Sequence, residues 1–183
     1  MNYQAQIAAA EAELDSGEIA RAHQLLEPLV KAGDAQAIYL AGCMGKRGET
    51  DSEFQLRYVH SVEVSAKKGF PQAVYALGVF YDVGEHGYEI DKVRASHLFK
   101  KAADLGHLRS KWIHACELLW GLGSYEQNIR LGLDYLEQSA AGNFEEALET
   151  KARLYERGEF GYEKSVARAA ELRAMISEGN AGR

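Results

Sequence analysis

Proline is nearly absent from this chain, with 2 residues in 183 against 18 glycines. Few prolines and no strict glycine triplet exclude collagen-like and proline-rich linker readings. Cysteine is scarce too. Cys43 and Cys116 are the whole set, too few for a disulfide framework. A basic excess is missing, since 21 Lys and Arg face 27 Asp and Glu for a net charge of −6. That balance argues against a nucleic-acid partner. No stretch approaches the roughly 18 apolar residues of a membrane span. The first residues lack the basic segment and cleavage site of a secretory leader. The expected location is cytoplasmic, with no membrane partner. The known nucleotide-binding, serine-hydrolase and zinc-protease motifs are absent as well.

What is present is glycine at a fixed period. Gly33, Gly69, Gly106, Gly142 and Gly179 are 36, 37, 36 and 37 residues apart. A second series, Gly17, Gly48, Gly84, Gly121 and Gly158, is spaced 31, 36, 37 and 37. Glycine tolerates the left-handed conformation that follows a helix end. Two series with one period therefore predict two helix stops per repeat. The apolar stripe Tyr3, Ile7, Ala10, Leu14 has helical spacing. Asp34, Pro71, and Asn143 with Glu146 mark helix starts. Pro28 should kink the second helix or move its boundary. The expected architecture is all-α: five antiparallel helix pairs, about 2–33, 34–69, 70–106, 107–142 and 143–179, forming a single domain over 1–183. Thin hairpins of this kind must stack to bury their apolar faces.

The third pair reads Ala73-x-x-x-Leu77-Gly78-x-x-Tyr81-x-x-Gly84, then Gly87-Tyr88-x-x-Asp91-Lys92, Ala95, Phe99, Ala102-Ala103 and Gly106. This resembles the Sel-one-like repeat (SLR) family, a relative of the tetratricopeptide repeats. The resemblance covers roughly 34–179, and 2–33 looks like a divergent cap. It implies a right-handed α-α superhelix, or solenoid. It also implies that Gly42, Gly78, Ala115 and Ala152 let paired helices approach closely.

By the same resemblance, the first helix of each pair lines a concave groove. Counting back three residues from those small positions gives Tyr39, Tyr75, Trp112 and Glu149. Counting back six gives Gln36, Gln72, Arg109 and Glu146. One residue on come Cys43, Val79, Cys116 and Arg153, and four on comes Asp82. Aromatic rings with few torsions suit a binding surface, although rings at this spacing also suit packing between helices. A second ladder, Tyr88, Tyr125 and Tyr162, falls between paired helices. Its rings either plug the gap between repeats or form an exposed row.

The histidines, His23, His60, His86, His97, His107 and His114, show no ligand spacing, and no metal or cofactor is expected. Cys43 and Cys116 occupy equivalent positions two repeats apart, too distant to pair. The mixed charges of 163–178 suit a capping helix. These features describe a non-enzymatic scaffold or adaptor that binds a protein or peptide, as a monomer or weak dimer. The resemblance also admits an immunity protein that neutralises a bacterial toxin. A hydrolase of the cysteine-rich SLR type is a further alternative, but such members carry a cysteine pair in each repeat.

Overall fold

Helices form wherever the apolar stripe recurs, and glycine or a polar cap ends most of them. The computed structural model describes residues 3–181. The described residues hold ten helices and no strand. The first five are α1 (Tyr3–Asp15), α2 (Ile19–Lys31), α3 (Ala35–Cys43), α4 (Asp51–Lys67) and α5 (Pro71–Val83). The second five are α6 (Lys92–Asp104), α7 (Leu108–Trp120), α8 (Ile129–Ala141), α9 (Glu145–Arg157) and α10 (Val166–Ala181). The chain divides into two compact units, Met1–Asp91 and Lys92–Arg183. No helix among the described residues is long and apolar enough to cross a membrane.

In the first unit, Ile7, Ala10, Ala22, Leu26, Leu29 and Ala37 form one core. Val62, Ala76 and Phe80 form another, flanked by Tyr58 and Tyr88. In the second unit, Ala115, Leu119, Leu136, Leu148 and Leu154 are buried together. The small positions behave as expected: Gly42, Gly78, Ala115 and Ala152 are all buried. Two serines add a tie the sequence reading missed. Ser65 Oγ donates to the Ala35 carbonyl at 2.7 Å, and Ser139 Oγ to the Leu108 carbonyl at 2.8 Å. Each joins a second helix to the first turn of its own partner.

Asp34 caps α3, accepting from the Ala37 amide at 2.9 Å, and Pro71 opens α5. Three sequence expectations change and one is narrowed. First, of the two outcomes expected at Pro28, the boundary shift does not occur, because α2 runs through it to Lys31. The hydrogen bond that proline cannot donate would go to Gln24, and both residues are exposed to water. Second, Gly48 ends no helix. It turns the connection after α3, which already stops at Cys43. Arg57 takes over there, donating to the Ala41, Gly42 and Met44 carbonyls at 2.7, 3.2 and 2.5 Å. Third, Asn143 is not a cap. It adopts φ 58 while Gly142 stays at φ −81, so the left-handed step falls one residue late, on a side chain that tolerates it. The capping box lies instead at Thr50 and Glu53. Fourth, Gly179 lies inside α10 and closes nothing.

Candidate functional site

In the first unit, the residues expected to line a groove stand on α3 and α5. The Tyr39 ring tilts against Phe70 with centroids 5.4 Å apart, and its hydroxyl meets Cys43 and Gln72. Burial raises the Tyr39 hydroxyl pKa, so it stays protonated. Gln36 Nε2 donates to Glu11 at 3.1 Å. Tyr75, Val79 and Asp82 are half-buried, whereas Cys43 and Gln72 are exposed. Thus α3 and α5 bring Tyr39, Cys43 and Gln72 together.

In the second unit, the equivalent positions stand on α7 and α9. Trp112 Nε1 donates to Thr150 Oγ1 at 3.0 Å, and Arg153 reaches the same hydroxyl at 3.2 Å. The indole lies 6.1 Å from the Phe144 ring. Arg109 lies over Phe144 and pairs with Glu146 at 3.3 Å. Glu149 accepts both Nε and Nη2 of Arg173 at 2.9 Å. Arg173 also grips Glu156, so α10 is fastened to α9 by one guanidinium. Arg109 and Arg153 are exposed, while Trp112, Cys116 and Glu149 are half-buried.

The tyrosine ladder packs between repeats. Tyr88 donates from its hydroxyl to Glu63 on α4 and meets Tyr81 edge to face with centroids 4.8 Å apart. Tyr162 donates to Glu137 on α8 at 2.6 Å and meets Tyr155 edge to face with centroids 4.6 Å apart. Tyr125 instead meets the rings of His97 and His114, at 5.9 and 4.7 Å.

One polar cluster could suggest chemistry. Ser96 Oγ lies 2.5 Å from Glu117 Oε1, and His114 Nδ1 lies 3.0 Å from Glu117 Oε2. The carboxylate separates the hydroxyl from the imidazole, so the imidazole cannot act as the base for that hydroxyl. All three are buried. The thiols are free, and the partial withdrawal of each sulfur from water raises both, Cys116 to about 11, even though Cys43 keeps much of its surface exposed. A reactive cysteine needs the opposite shift. Among the described residues, no group of three or more His, Cys, Asp or Glu is placed to hold a metal ion.

Sequence reasoning missed a cleft between α2 and α4, floored by Ile38, Ala41 and Gly42. Its signal was present: Ala41 and Ser61 are small where the later repeat has His114 and Tyr135.

Residues 71–107 and 113–144 match the family pattern described as Sel1 repeat. Those two segments carry Sel1 repeats. The fold agrees across nearly its whole length. A Sel1 repeat protein from Oxalobacter formigenes superposes with a TM-score of 0.76 at 18% identity, covering 97% of this chain and 73% of that one. A protective antigen of uropathogenic Escherichia coli with an SLR fold superposes with a TM-score of 0.67 at 18% identity, covering 85% of this chain and 33% of that one. Among curated relatives, chitin synthase regulatory factor 2 of Schizosaccharomyces pombe is 34% identical over 90 residues, 49% of this chain and 17% of that protein. The ERAD-associated E3 ubiquitin-protein ligase component HRD3A of Arabidopsis thaliana is 42% identical over 64 residues, 35% of this chain and 9% of that protein. The Sel1-repeat chain thus spans less than a fifth of the length of either relative. Both are named for regulatory or component roles.

Proposed function

We propose that this Sel1-repeat chain is a protein-interaction module whose first helices present the binding surface. The observation that carries the reading is the same pattern in each unit. In the first, Tyr39 and Tyr75 are half-buried on α3 and α5, with Gln72 exposed on α5; in the second, Trp112 is half-buried on α7, with Arg109 exposed on α7 and Arg153 on α9. Anchored rings lose little entropy on binding, and the polar heads beside them can select a partner. The names of the relatives support a regulatory or adaptor role, and free cysteines suit a reducing compartment such as the cytoplasm. The immunity reading rests on the family resemblance and on the net charge of −6. No residue of the surface singles out a toxin.

The test is affinity capture from native lysate with the wild-type chain and with Tyr75→Ala. The expected result is a partner held by the wild type and lost by the variant, with equal helicity and melting. Equal capture by both chains would reject the surface.

A further inference from the structure

The cleft between α2 and α4 has a volume of about 730 Å³ and is open to solvent. Both walls are helices that pack on α3. The floor is apolar, made by Ile38 and Ala41 with Val30 and Val64 at the sides. At 3.6 residues per turn, Ile38 and Ala41 face away from Gln36, Tyr39 and Cys43 on α3, and Gly42 lies at the edge between the two sets. The cleft is therefore separate from the first-helix surface.

The second unit shows why this space is open. Asp34 and His107 cap α3 and α7. Counted from those caps, Ala41 and His114 are equivalent positions. Lys68 and Gly142 are the C-caps of α4 and α8. Counted from those, Ser61 and Tyr135 are equivalent too. In the second unit the His114 and Tyr135 rings stand 4.9 Å apart and fill the space between α6 and α8. In the first unit a methyl and a hydroxymethyl group leave the corresponding space empty.

The rim reverses the charge of the protein. Lys31, Lys46, Arg47 and Arg57 line the cleft against one carboxylate, Glu27. Glu27 is held by Lys31 at 2.7 Å, and Arg57 by Glu49 at 2.6 Å. Lys46 and Arg47 are exposed and make no side-chain ion pair among the described residues, although the Lys46 amide donates to Glu49 at 2.9 Å and its charge helps to lower that carboxyl. An apolar floor beneath two exposed cations is complementary to an apolar side chain flanked by carboxylates.

We propose that this cleft binds an acidic peptide segment through one apolar anchor side chain. The test titrates the full 15N-labelled chain with acetylated heptapeptides bearing three Glu on each side of a central Leu, Phe, Trp or Ser. The three apolar peptides are expected to shift the amides of Ile38, Ala41 and Val64, with at least fivefold weaker binding of the Ser peptide. The double variant Lys46→Glu with Arg47→Glu should bind at least tenfold more weakly and melt like the wild type. Tyr75→Ala should bind these peptides unchanged, which separates this site from the first-helix surface. Peptides that leave these amides unmoved, or that bind the charge-reversed variant equally well, overturn the proposal. So does a response to sodium laurate alone, which would make the cleft a site for lipid anions.

Discussion

Gly42 lies so close to Ser61 that a Cβ built on it would stand 2.3 Å from the serine Cβ. Serine cannot rotate that atom away, because it is fixed to the backbone of α4. Alanine at position 42 would gain helix propensity of about 1 kcal/mol. The forced separation of α3 and α4 outweighs this gain. Gly42→Ala is expected to lose roughly 1–3 kcal/mol net, read from urea unfolding. Gly45→Ala is the control, because nothing lies within 4 Å of its Cβ position. Its unfolding midpoint should stay near the wild-type value.

Glu117 satisfies two buried partners at once, Ser96 and His114. Glu117→Ala would leave both without an acceptor in a sealed space, and each orphaned group costs roughly 1–3 kcal/mol. Ser96→Ala removes a single donor and should be milder. Thermal unfolding of the two variants in one buffer checks the order. Equal melting temperatures would show that water replaces the carboxylate.

The His107 imidazole caps α7 by accepting from the Ser110 amide at 3.3 Å. Burial, followed by the charge of Arg109, lowers its pKa to about 4. The unfolded imidazole titrates near about 6.5. Below that value the unfolded chain binds the extra proton, so this contribution to stability falls as pH drops from about 6.5 towards 4. His107→Asn keeps a cap without the titration. Its melting temperature should change less than that of the wild type between pH 7 and pH 5.

Glu49 closes the end of α3 through Arg57, which donates to its two oxygens at 2.6 and 2.8 Å. The Arg57 hydrogen bond lowers the Glu49 carboxyl to about 2. A depressed carboxyl contributes stability above its unfolded value of about 4.3, and the contribution fades as pH falls towards 2. Glu49→Gln should be less stable than the wild type at pH 6. The gap between them should narrow steadily below pH 4.

The repeat was legible because two glycine series and the caps at Asp34 and Pro71 are local signals. Local signals failed where a tertiary partner took over a role. Arg57, from α4, closes α3, so Gly48 does not end it. A one-residue offset after α8 moved the left-handed turn from Gly142 to Asn143. The family resemblance identified the aromatic positions, but not what holds them. Trp112 is anchored by Thr150, a residue of the following repeat. The cleft was harder to see, because it depends on what Ala41 and Ser61 lack. It becomes visible in sequence only when those positions are aligned with His114 and Tyr135.

The surface assignment can be tested by photo-cross-linking in native lysate. One chain carries a photoreactive residue in place of Gln72, exposed on α5. The other carries it in place of Lys101, exposed on α6. The account predicts a discrete cross-linked partner from position 72 and none from position 101. The same partner captured equally from both positions, or from 101 alone, would contradict it.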